Sequence, residues 1–86
     1  DGVVASGEEP AAIRQKVGPR FLIVTPGVRP AGKGVDDHAR ATTPTQTIAS
    51  GADYLVIGRP IRDAVDPVAT VTEIVNEMQA AFDARP

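Results

Sequence analysis

Cysteine and tryptophan are absent from these 86 residues, and the only aromatic side chains are Phe21, Tyr54 and Phe82. Without cysteine there is no disulfide and no thiolate metal site, which fits a reducing compartment and a cytoplasmic location. Positive charge is not in excess: 9 Lys and Arg face 11 Asp and Glu, for a formal net charge of -2. A nucleic-acid groove needs a basic stripe interleaved with stacking rings, so no nucleic-acid partner is expected. No apolar run approaches the roughly 20 residues that cross a bilayer, so no membrane partner is expected either. Histidine occurs once, at His38, beside Asp36 and Asp37. One imidazole and two adjacent carboxylates make a thin ligand set, and no metal is expected. The length allows one small core and a single domain, residues 1–86, with no internal boundary. The chain has no initiator Met and opens on "DGVVAS", which reads as the start of a strand. The expectation is a piece of a longer domain.

What is present is a strand followed by a helix, three times over. Gly2 to Ala5 is the first strand. Ser6 and Glu9 have capping-box spacing, Pro10 suits a first helical turn, Ile13 and Val17 share a face, and Gly18 is a stop. Phe21 to Thr25 is apolar without alternation, which predicts a parallel strand covered on both faces. After a long loop, Thr43, Pro44 and Gln46 open a helix that Gly51 closes. Tyr54 to Ile57 is the third strand, again read as buried on both faces. Asp66 and Pro67 open the last helix, where Val68, Val71, Val75, Met78 and Phe82 are spaced to form one apolar face. Asp83 to Pro86 are expected to fray. Repeated βα units argue for a parallel sheet. Three parallel strands leave two edges open, so the chain is expected to self-associate or to pair with strands it lacks.

In parallel α/β folds, ligands sit at the carboxyl ends of strands. Three such ends are Ser6-Gly7, Pro26-Gly27 and Gly58-Arg59. Gly58 lets a ligand approach the backbone N–H, and the Arg59 guanidinium offers a rigid fork of donors that matches phosphate oxygens. Arg29, just past an adjacent strand end, can join it on one anion. The competing reading pairs Arg59 with Asp63 or Asp66 at the surface. Arg20, Lys33 and Arg40 read as solvated charges. Ser6 reads as a cap, since no His or Lys stands at nucleophile-activating spacing.

The stretches "DGVVAS", "VTPGVRPAG", "DDHARATTP" and "GADYLVIGRPI", in this order, resemble the carboxyl-terminal part of orotidine 5'-phosphate decarboxylase. The resemblance implies an α/β fold, three consecutive βα units forming strands six to eight of a (βα)8 TIM barrel. It implies a cofactor-free, homodimeric carboxy-lyase that converts orotidine 5'-phosphate to uridine 5'-phosphate and CO2 in pyrimidine synthesis. The family's phosphate-gripping residues fall on Arg29, Gly58 and Arg59. Its pyrimidine-site proline falls on Pro26. A glutamine that bridges phosphate and base is replaced by His38. The family's catalytic Asp/Lys network, with its D-x-K-x-x-D signature, has no counterpart here. Lys33 and Asp36 have the right spacing, but Ala31 stands where an Asp is needed. The isolated chain is therefore expected to be inactive, and the residues from Arg29 to Arg40 read as a candidate lid. Two alternatives remain: another phosphate-binding (βα)8 enzyme acting on a sugar phosphate, or a non-catalytic anion-binding half-barrel.

Overall fold

The computed structural model describes residues 1–7, 9–29 and 42–85. Strands β1 (Gly2–Val4), β2 (Leu22–Thr25) and β3 (Tyr54–Leu55) form one parallel sheet in the order β1-β2-β3. Val3 pairs with Ile23, and Thr25 with Leu55. Helix α1 (Glu9–Val17) joins β1 to β2, and α2 (Pro44–Ser50) precedes β3. A short helix α3 (Arg59–Arg62) and the long α4 (Pro67–Asp83) follow. All three strands are shorter than their apolar runs. Ala5, Phe21, Val56 and Ile57 lie just outside them.

The sheet has two unlike faces. Alternation along parallel strands turns Val3, Ile23 and Thr25 to one side and Val4, Leu22, Val24 and Tyr54 to the other. Ile23 is fully buried with Ala5 and Ala52, and Ile13 of α1 and Leu55 pack against them. The opposite face is open: Val4 is 69% exposed and Tyr54 58%. Burial of β2 and β3 on both faces is thus not observed. The apolar residues of the second face are present, but no described element covers them.

Local capping chemistry fixes the helix ends. At α2 the Thr43 hydroxyl accepts from the Gln46 N–H (3.2 Å), and the Gln46 side chain accepts from the Thr43 N–H (3.0 Å), a complete capping box. Asp66 accepts from the Ala69 N–H at 3.1 Å and starts α4. At α1 the Ser6 N–H donates to Glu9 Oε1 at 3.1 Å.

The apolar face of helix α4 is not its most buried one, although Met78 and Phe82 on it are half-buried. The buried residues of α4 are Thr70, Ile74 and Ala81, whereas Val68, Val71 and Val75 are exposed. The buried stripe is turned by roughly a quarter of a revolution from the valine-rich one. Helix α4 packs on α2, and there Glu77 accepts from both the N–H and the hydroxyl of Thr45 (3.0 and 2.8 Å). The carboxyl end is also better held than expected. Arg85 donates to the Ala52 carbonyl at 3.1 Å, and its guanidinium lies 5.2 Å from the Phe82 ring centroid.

One side chain ties these pieces together at the amino end of the sheet. Arg14 Nη1 donates to the carbonyls of Gly18 (2.8 Å) and Phe21 (2.7 Å). Its Nε and Nη2 both donate to the Gly51 carbonyl, and Nη2 also meets Asp53 Oδ2 at 2.7 Å. The same Asp53 oxygen accepts from the Ile23 N–H at 2.9 Å. Gly51 is favoured here by its backbone, and the space beside it is tight. Its φ of 119° is left-handed, and a Cβ would stand 3.2 Å from Arg14 Cβ. Both charged side chains are mostly buried, with 17% and 22% exposure. Removing one partner of such a pair costs about 3–5 kcal/mol. Arg14→Met, which keeps the apolar stem, should therefore lower unfolding free energy by about 3–5 kcal/mol in the full-length protein. Asp53→Asn, which still accepts from Arg14 and Ile23, should cost less. Denaturant unfolding measures both, and equal stability of Arg14→Met and the parent would remove the network from the account of the fold.

Candidate functional site

The register of β2 and β3 builds the candidate site. Thr25 and Leu55 are paired, and the Val56 N–H continues the ladder to the Thr25 carbonyl at 2.9 Å. Arg29 stands four residues beyond Thr25, and Arg59 four residues beyond Leu55. Two neighbouring parallel strands thus deliver one guanidinium each to the same end of the sheet. Thr25 itself buries its hydroxyl with no hydrogen-bond partner among the described residues. An unsatisfied group of this kind costs about 1–3 kcal/mol.

From Thr25 the chain passes half-buried Pro26 and turns at Gly27, whose φ of 73° favours glycine. Val28 is buried and forms an isolated parallel bridge with Thr42. The Arg29 N–H donates to the Thr42 carbonyl at 2.9 Å, so the backbone of Arg29 is fixed.

Gly58 and Arg59 do not end the strand, as the sequence reading had it. They open α3, with Gly58 as its cap. Pro60 in the first turn was the overlooked signal. The Gly58 carbonyl accepts from the N–H groups of Ile61 (3.0 Å) and Arg62 (2.9 Å). Neither the Gly58 N–H nor the Arg59 N–H has a partner among the described residues. Gly58 has a φ of -107°, and a Cβ there would meet nothing within 4 Å. No described neighbour therefore crowds this position.

The surface carboxylates that competed for Arg59 are engaged elsewhere. Asp63 pairs with Arg62 (2.8 Å), and Asp66 caps α4. The hydrogen bond from Arg62 holds the Asp63 carboxyl below its ordinary value, opposed by desolvation and aided, to a lesser extent, by the charges of Arg62 and Arg59. The same bond raises Arg62. Arg59 is exposed and forms no ion pair among the described residues. The described residues contain no cluster of three His, Cys, Asp or Glu side chains that could hold a metal. His38 lies outside the described residues, as do Lys33, Asp36, Asp37, Arg40 and most of the candidate lid.

The model of the orotidine 5'-phosphate decarboxylase / HUMPS family matches residues 1–74. The chain belongs to that family. It is 58% identical over 80 residues to the orotidine 5'-phosphate decarboxylase of Trichlorobacter lovleyi, which covers 93% of this chain and 33% of that protein. Against the Rhodopseudomonas palustris enzyme it is 53% identical over 81 residues, 94% of this chain and 34% of the relative. The crystal structure of the Lactobacillus acidophilus decarboxylase superposes with a TM-score of 0.75 at 37% identity, over 91% of this chain and 30% of that one. The chain thus spans about a third of the length of the curated relatives it matches. The fold is α/β, part of the TIM barrel of these decarboxylases, and both alternatives are disfavoured by these likenesses.

Proposed function

We propose that this chain is the carboxyl-terminal, phosphate-binding part of an orotidine 5'-phosphate decarboxylase, forming a single partial-barrel domain over residues 1–86. The reaction releases CO2 by breaking the bond to C6 of the pyrimidine, and the electron pair left on C6 takes a proton. The observation that carries the reading is the placement of Arg29 and Arg59 beyond paired strand ends, with the carboxylates near Arg59 already engaged. A phosphate monoester carries about -1.5 to -2 charges, which two guanidiniums and the Gly58 and Arg59 amides, unpartnered among the described residues, can meet. Pro26 would pack against the pyrimidine, and His38 would donate to the ligand in place of glutamine. No residue here is assigned the proton transfer. The whole enzyme would be a cytoplasmic homodimer that needs no cofactor.

Remote phosphate binding accelerates the reaction when its energy is used at the reacting carbon. In the full-length enzyme, Arg59→Ala should lower kcat/KM for orotidine 5'-phosphate by the equivalent of about 2–5 kcal/mol, the cost of unpairing a charged contact that bound substrate would bury. Orotidine lacking the phosphate should be nearly unaffected. Equal losses on both substrates would assign Arg59 a structural role.

The isolated chain should not turn over orotidine 5'-phosphate, because it has no D-x-K-x-x-D network. Steady uridine 5'-phosphate release by the purified chain would refute this.

An unperturbed imidazole titrates near pH ~6.5, and a neighbouring dianion raises that value. Phosphate binding by protonated His38 should therefore be strongest at low pH and weaken as pH rises through the raised pKa. Phosphate ionisation, with a second pKa of about 6, changes binding over the same range. His38→Gln supplies the control and should give a flatter profile above that pH. Overlapping binding curves for the two enzymes would strike His38 from the site.

A further inference from the structure

The Arg29 segment is held from behind by a part-buried pair of hydroxyl groups. Thr47 of α2 is fully buried, and its hydroxyl donates to the Thr43 carbonyl at 2.8 Å. A threonine hydroxyl has a single proton to give. The 2.7 Å contact between the Thr42 and Thr47 hydroxyls must then run from Thr42 to Thr47. Thr42 in turn offers its carbonyl to the Arg29 N–H at 2.9 Å and bridges to Val28. The support continues outward, since Glu77 of α4 grips Thr45 on the first turn of α2. Strand β2 ends at Thr25, so beyond it, among the described residues, Arg29 is held only by the isolated Val28–Thr42 bridge and its N–H bond to the Thr42 carbonyl. The hydroxyl contacts of Thr42 and Thr47 tie that bridge to α2.

We propose that Thr47 is a positioning residue for phosphate binding, acting through Thr42 on the backbone of Arg29. The inference rests on Arg29 being a phosphate ligand. Replacing the Thr47 hydroxyl by a methyl leaves the Thr42 hydroxyl without its acceptor. The Thr42 carbonyl is then free to shift, and the guanidinium moves with the backbone that carries it. The consequence is confined to substrates that present a phosphate to Arg29.

The test uses the full-length enzyme and four variants: Thr47→Val, Thr47→Ser, Arg29→Ala and the double variant Thr47→Val/Arg29→Ala. Thr47→Val should raise KM for orotidine 5'-phosphate by roughly two- to tenfold, the equivalent of one hydrogen bond. Its kcat/KM on orotidine should stay unchanged. Thr47→Ser restores the hydroxyl and should restore KM. In the Arg29→Ala background the Thr47→Val change should have no further effect, as expected of residues acting through one contact. Should Thr47→Val fold poorly, Thr42→Val breaks the same link from the less buried side and should show the same split. A Thr47→Val loss that is equal on both substrates, or that persists without Arg29, overturns the proposal while leaving the phosphate reading intact. If Arg29→Ala itself leaves kcat/KM for orotidine 5'-phosphate unchanged, the phosphate role of Arg29 falls, and the proposal falls with it.

Discussion

A single guanidinium organises the amino end of the sheet. Arg14 holds the end of α1, the approach to β2, the terminus of α2 and the approach to β3 through four acceptor groups. Each of those segments ends a helix or begins a strand, where backbone carbonyls lack partners from regular structure. One planar fork meets three of them and a carboxylate together, which a lysine could not do with the same geometry. Asp53 then passes the constraint to β2 through the Ile23 N–H, reinforced by the Asp53 N–H to the Ile23 carbonyl at 2.8 Å. The β2–β3 register follows from this anchor. Because the register sets where the two strands end, the separation of functions along the sheet is clear: stability is concentrated at one end and the candidate site lies at the other.

That arrangement explains how exposed arginines can remain available. A surface guanidinium ordinarily finds a nearby carboxylate, although exposed pairs of this sort contribute little stability. Here Arg62 takes Asp63, and Asp66 is committed to starting α4. The local carboxylates are therefore used before they reach Arg59. The carboxylate of Glu77 is likewise engaged, at the first turn of α2.

The parts of this structure that were legible in the sequence are those set by local chemistry. Thr43, Pro44 and Gln46 announced α2 because a capping box is complete within four residues. Asp66 and Pro67 announced α4 because a side-chain cap and a first-turn proline are also local, although N3 is Ala69 and no box is completed. The parallel order and the delivery of Arg29 and Arg59 to one sheet end followed from the repeated βα pattern. Arg14 was not legible, since its partners at Gly51 and Asp53 are distant in the chain and no periodicity marks them. The apolar face of α4 was legible from its spacing, but hydropathy does not mark which stripe is buried, and Thr70, Ile74 and Ala81 are the residues buried. Helix α3 was missed because four residues are too few for a periodic signal. The pairing of Asp63 with Arg62 rather than Arg59 is a choice between adjacent side chains that only geometry decides.

The open face of the sheet also has a spectroscopic consequence. Tyr54 is the only tyrosine, tryptophan is absent, and the phenol ring lies on that uncovered surface. Near-ultraviolet absorbance and emission of the chain therefore arise chiefly from one ring at one place. Any surface that covers β3 would remove water from that ring and change its signal, without a label being introduced.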